Sequence, residues 1–285
     1  MSKKFTKEEV IQNKKEAIKS LDKMLEYLIN DKSMRHLKKA HLVSYWIKDY
    51  VKMITFEENF NPTKNIAYKR GNIVKLNFGF NIGAEYGGLH YGIVLDNKNE
   101  HNSPVVTVIP LTSMKASKEL HPNSVDLGND IYRLLKIKYD TISKSLKEEQ
   151  EEIEYELTLF KTLVNLTTQT TDELIRCEQG TEAFDKKLND AKAYLNASYK
   201  LQKMWEEKER HNKEQQEYLD KIGLEFSRMK EGSIALVNQV TTISKIRIFD
   251  PRSLKGVLAG ISLSKENMEK INQKIKDLYV FQPKS

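Results

Sequence analysis

"RGNIVKLNFGFNIGAEYGGLHYGIVL", residues 70–95, is the stretch on which the fold turns. Its two ends, "GNIVKLNF" and "LHYGIV", are short runs rich in Val, Ile and Leu with period-two patterning, so both read as β-strands. Between them lies a glycine-rich loop in which Gly87 and Gly88 are adjacent, and His90 opens the second strand. One reading is a phosphate loop, in which glycines let backbone amides approach an anion. No Lys-Ser/Thr comes after these glycines, and the next element is a strand where a phosphate loop would open a helix, so nucleotide binding is excluded. A second reading is structural: the glycines supply positive φ for a hairpin or loop, and His90 is an ordinary strand residue.

Outward from this stretch, "SPVVTVIPLTS" reads as a third strand, with prolines suited to an edge or end position. "SVDLG" reads as a short strand, and "GSIALVNQVTTISKIRIF" resumes the β pattern before Pro251. The flanks are helical. Thr6 and Glu9 have capping-box spacing, and Ile11, Ile18, Leu21, Leu25 and Leu28 form one stripe. A second helix carries Leu37, Tyr45, Trp46, Tyr50 and Ile54, and "ENFNPTKN" ends it. From Ile131 to about Lys230 the chain is helical almost without Gly or Pro, with a turn expected at "TTQTTD". Phe184, Leu188, Ala191, Leu195, Gln202 and Trp205 form a heptad-like seam for an antiparallel hairpin. A last helix begins near Ser264, with Met268, Ile271, Ile275 and Leu278 inward. The fold class is α+β in three units: an N-terminal helical region at 1–65, a β unit with a C-terminal helix at 66–130 and 231–285, and an inserted coiled-coil hairpin at 131–230. The strands before the insertion are too few to complete a sheet without those after it.

The 285 residues carry a net charge of +7, and residues 1–70 hold 16 Lys and Arg against 9 Asp and Glu, which accounts for all of it. Such an excess attracts a polyanion or simply solvates a helix face. Cys177 is alone, which excludes an internal disulfide and fits a reducing compartment. No apolar run approaches a membrane span and no signal-peptide core comes after the N-terminus, so a cytoplasmic protein is expected. His36, His41 and His211 fall in helices and His101 and His121 in loops. None has zinc-site spacing, and no metal or cofactor is expected.

The segments "RGNIVKLNFGFNIGAEYGGLHYGIVL", "VVTVIPLTS" and "GSIALVNQVTTISKIRI" resemble, in that order, the PemK/MazF toxins of toxin-antitoxin modules, over about residues 69–127 and 231–280. The resemblance implies an SH3-like β-barrel that dimerises, is bound by an antitoxin, and cleaves single-stranded RNA without metal. It implies roles for Glu85, Gly87 and Gly88 in the first loop, for Thr112 with Ser113 near the scissile phosphate, and for Gln239 on a later strand. Where the family has its catalytic arginine this chain has His90, and where the family has the following proline it has Tyr91. Arginine stabilises phosphate charge but takes up no proton at neutral pH, whereas histidine can do both. His90 and Thr112 are therefore the expected catalytic pair. His90, Gly92 and Val94 share a strand face, on which Gly92 would leave room for a ligand or fit a tight bend. Lys115, in a "PLTSMK" run similar to one in type III toxins of related shape, is expected near phosphate, and Lys245 and Arg247 near the RNA backbone.

The competing expectation is a barrel without catalytic power that binds RNA or a protein, a class including gyrase-poisoning toxins of similar shape. The helical additions, absent from the resembled pattern, are expected to lie across the RNA groove or to sense a trigger.

Overall fold

In the computed structural model, described for residues 5–32, 34–114 and 119–281, the opening stretch forms an antiparallel pair. Strand β1 (Ile73–Asn77) runs against β2 (Leu89–Val94), with Leu76 opposite His90. The other strands are β3 (Val105–Ser113), β4 (Ser124–Asp126), β5 (Ser233–Leu236), β6 (Thr241–Ser244) and β7 (Ile248–Asp250). Their order is β4-β5-β3-β2-β1-β7, with β6 also on β3, so strands from both ends of the chain share one sheet.

The sheet has two buried faces because adjacent residues of its strands are both apolar. Ile73, Ile93, Ile109 and Leu111 face one core, while Val74, Leu76, Val94, Val106 and Val108 face the other. Helix α5 (Lys265–Tyr279), N-capped by Ser264, buries Ile271 completely in the first core. The second core lies inside the curl formed by β7-β1-β2-β3-β6. Among the described residues no ladder joins β6 to β7, so the closed barrel expected from the sequence is an open sheet here. The chain crosses that gap as a 3-10 turn, Lys245–Arg247.

Two strand expectations are corrected. β3 is central, flanked by β2 on one side and by β6 and then β5 on the other. Pro110 is tolerated there because it falls between the β6 and β5 segments, where that side needs no donor. "SIALVNQVTTISKIRIF" is three strands, broken by 3-10 turns at Val237–Gln239 and Lys245–Arg247.

The helical excursion is a hairpin of α3 (Asp130–Ile175) and α4 (Glu182–Arg228), each about 70 Å long at 1.5 Å per residue. The turn comes after "TTQTTD". Thr167, Thr168 and Thr171 stay helical, their hydroxyls donating to the carbonyls of Leu163, Val164 and Thr167 within the same helix. The reversal falls around Gly180, at φ +83°, and Thr181 caps α4 by accepting from the Phe184 amide. The seam passes through Tyr194 and buried Ser198, while Leu195 is exposed. Lys208 spans the pair, 3.1 Å from Glu152 and 2.7 Å from Glu156.

The excursion leaves and returns at neighbouring points of the sheet. Asp130 accepts from the Ser264 amide (3.0 Å) and the Asn267 side chain (3.1 Å). Burial pushes its carboxyl up, but these bonds and Arg133 outweigh that and hold it below the usual range. At the other end the Gly232 amide donates to Asn129, 2.8 Å.

The N-terminal pair is α1 (Lys7–Ile29) and α2 (Leu37–Glu57). Both bonds of the Thr6/Glu9 capping box are present. Of the expected α1 stripe only Leu28 is buried, and Ile11 and Ile18 face solvent. No helix among the described residues is long and apolar enough to cross a membrane.

Candidate functional site

The glycine loop, residues 78–88, continues the β1–β2 ladder past its end. The Phe78 amide donates to Gly88 (2.8 Å) and the Gly88 amide to Gly79 (2.6 Å). Gly88 has φ +90°, the left-handed region that disfavours other residues. Gly87 is required for another reason: a Cβ there would stand 2.7 Å from the Gly79 carbonyl oxygen. Gly87→Ala should therefore cost about 1–3 kcal/mol by overpacking, and should displace His90, three residues on. Thermal unfolding together with an RNA cleavage assay checks this. Unchanged stability and activity would show that the loop relaxes freely.

Gln239 clamps this loop from the far end of the chain. Its side-chain oxygen accepts from the Tyr86 amide at 3.2 Å, and its nitrogen donates to the Ala84 carbonyl at 3.3 Å. Glu85 closes the loop tip, accepting from the Ile82 amide at 3.3 Å. Gly92 leaves no ligand room. A Cβ there would meet Leu76 at 3.0 Å and the Ile109 carbonyl at 3.4 Å, so this glycine serves close strand packing.

Register places His90 and Thr112 on facing strands. Gly92 pairs with Pro110 in the β2–β3 ladder, and the same register two residues on would set His90 opposite Thr112. The ladder stops at that pair because β3 turns to β5, where Thr112 pairs with Ile234 and Ser113 with Ser233. Tyr86 occupies the opening. Its ring lies 4.7 Å from the His90 ring, its hydroxyl donates to the Leu111 carbonyl at 2.6 Å, and the Thr112 side chain is near enough to ease its ionisation. Burial pushes the phenol up to about 12, against the lowering effect of Thr112, so it holds its proton at neutral pH. Partial burial moves the His90 imidazole down from its ordinary value, which favours the neutral, proton-accepting form.

The imidazole and the threonine nevertheless open onto different hollows. His90 lines a cleft of about 840 Å³ with Glu85, Gly87 and Gly88, whose other wall is α2. Thr112 and Ser113 line a smaller hollow of about 160 Å³ that also takes in Glu119 and His121. Lys115 lies outside the described residues.

Two basic expectations are corrected. Lys245 is fully buried, and its ammonium donates to the Glu100 carbonyl at 3.0 Å, so it ties down a loop and meets no RNA. The guanidinium of Arg247 sits 4.9 Å from the centre of the Trp46 ring, so it is committed to holding α2.

Sequence reasoning missed Tyr86, His121 and the α2 residues. The position of Tyr86 between an acid and the glycine pair was the one available signal. His121 and α2 reach the site only through tertiary packing.

Residues 69–157 match the model of one protein family, described as PemK-like, MazF-like toxin of type II toxin-antitoxin system. The match takes in β1 to β4 and the first part of α3, while β5 to β7 and α5 join the same sheet from outside it. No curated protein matches the chain.

Proposed function

We propose, for a chain that carries a PemK-like, MazF-like toxin domain at residues 69–157, a metal-independent endoribonuclease acting on single-stranded RNA in a toxin-antitoxin or defence setting. In this reading residues 66–130 and 231–285 form the reacting unit, to which 1–65 and 131–230 are additions. Its partners are single-stranded RNA, an antitoxin protein and a second copy of the chain, in the cytoplasm.

The reading rests on one observation: Tyr86 packs on the His90 ring and bonds the Leu111 carbonyl, next to Thr112, from a loop held by Gln239. His90 takes the proton of a 2′-hydroxyl. The O2′–P bond forms, the P–O5′ bond breaks and the 5′-oxygen takes a proton, leaving a 2′,3′-cyclic phosphate and a 5′-hydroxyl. Thr112 and Ser113 donate to the phosphate as its charge rises. Glu85, Gly87, Gly88 and Gln239 keep the imidazole in place.

Purified protein incubated with single-stranded RNA in excess EDTA should yield fragments with those two end groups. Thr112→Val should slow the reaction by roughly a hundred- to a thousandfold, the scale of one lost oxyanion donor. A requirement for added divalent metal, or a Thr112→Val variant as fast as the parent, counts against the mechanism.

The separate hollows of His90 and Thr112 favour a second reading, a barrel that holds RNA or a protein without cutting it. Tight RNA binding with no cleavage under any condition, and toxicity that survives loss of both side chains, would select it.

A further inference from the structure

The cleft that holds His90 has α2 as its second wall. Lys38, His41, Leu42, Tyr45, Trp46 and Asp49 line it, at spacings of three and four that place them on one helical face. The face is not a core stripe: Tyr45 is 56% exposed, and His41 and Leu42 also face solvent. It carries Lys38 and His41 at one end, the Tyr45 and Trp46 rings in the middle and the Asp49 carboxylate at the other end, within residues 1–70, which hold the whole net charge of the chain.

The wall is fixed in place. Trp46 packs so closely on Gly79 that a Cβ there would lie 3.0 Å from the indole, and Arg247 covers the same ring. Next to this anchor, Tyr45 is held by its neighbours, with the His41 ring 4.9 Å away and the Lys48 ammonium 5.2 Å from its centre. A helix that plugged the site would fill the space in front of His90. Instead the space between the walls is about 840 Å³, within the range of small-ligand sites and sufficient for a nucleotide.

We propose that α2 is the second wall of a cleft for single-stranded RNA. Tyr45 stacks on an unpaired base beside the phosphate presented to His90, and Lys38 meets backbone charge. An unpaired strand is the occupant because a base inside a duplex presents no open face to an aromatic ring. The inference rests on RNA being the substrate, but not on its being cut.

The test uses the full chain and a fluorescent single-stranded RNA whose 2′-hydroxyls are methylated, so that it binds without reacting. Anisotropy titrations compare the parent with Tyr45→Ala, Tyr45→Phe, Lys38→Ala and, as a control on the hairpin surface, Tyr155→Ala. Tyr45→Ala should weaken binding roughly 5- to 100-fold, the size of one base–aromatic stack, and Tyr45→Phe should restore it. Lys38→Ala should flatten the salt dependence, and Tyr155→Ala should change nothing. Equal affinity in Tyr45→Ala, with natural RNA still cut, overturns this proposal and leaves the nuclease reading standing. Tyr45-dependent binding without cleavage does the reverse. Tighter binding or faster cleavage in Tyr45→Ala would make α2 an obstruction and overturn the proposal. No binding by the parent protein overturns both.

Discussion

His90→Ala should lower RNA cleavage by roughly 10²–10⁴-fold, the usual contribution of a positioned acid or base, with little change in melting temperature. The expectation of a stable variant comes from position: His90 is the second residue of β2, lies outside both cores and faces the cleft, its ring resting on Tyr86 and Gly88. The pH profile supplies the sharper check. Partial burial lowers the folded-state pKa of the imidazole below its ordinary value near 6.5. The neutral base is therefore populated across the neutral range, and the acidic limb of kcat/KM should fall below pH 6.5. The sign for stability comes from the same shift. Above about 6.5 neither state binds this proton. Below it the unfolded chain protonates first, so stability falls with pH until the folded-state pKa is passed. His90→Ala should remove both effects. Mapping 5′ ends of total RNA after induction, parent against His90→Ala, measures activity and preferred sites together. An unchanged cut pattern in the variant would remove His90 from the chemistry.

The second large effect is expected at Glu225, near the end of α4. Its carboxylate lies 2.6 Å from the Lys75 ammonium on β1 and accepts a hydrogen bond from the hydroxyl of Tyr91 on β2. Lys75 and Tyr91 are register partners, so one carboxylate ties the long hairpin to the first two strands at once. Burial raises the Tyr91 phenol well above its ordinary value, and the carboxylate raises it further. Glu225→Ala would leave a partly buried ammonium and a partly buried hydroxyl without their partner. The cost should be about 2–3 kcal/mol, somewhat below that of breaking a fully buried pair. Glu225→Gln, which keeps an acceptor for Tyr91, should lose less. Denaturant titration measures both, and Glu225→Ala within about 0.5 kcal/mol of the parent, the range of ordinary surface changes, would show that the contact does not hold the hairpin. This contact also accounts for one departure from the resembled pattern. Where that pattern has proline, Tyr91 supplies the phenol that meets Glu225.

Much of the site was legible before any coordinates. His90, Thr112, Glu85, the glycine pair and Gln239 lie in segments that resemble PemK/MazF toxins, and the family match over residues 69–157 takes in all of these positions but Gln239. What could not be read was which of them face one another. Lys245 reads as a surface cation because a lysine is seldom buried, yet its ammonium binds a carbonyl 145 positions away. Tyr86 stood out in the sequence only by its place between an acid and the glycine pair, and it became central because β3 leaves β2 at Pro110 and opens a gap.

The sequence by itself determined the starts of α1 and α5, through Thr6 and Ser264, and the pairing of β1 with β2 across the glycine loop. These depend on backbone sterics and capping bonds that act within a few residues. Tertiary structure alone decided that β3 is central, that Lys245 is buried, and that α2 faces His90. Burial and juxtaposition are set by segments far apart in the chain, and no local spacing encodes them.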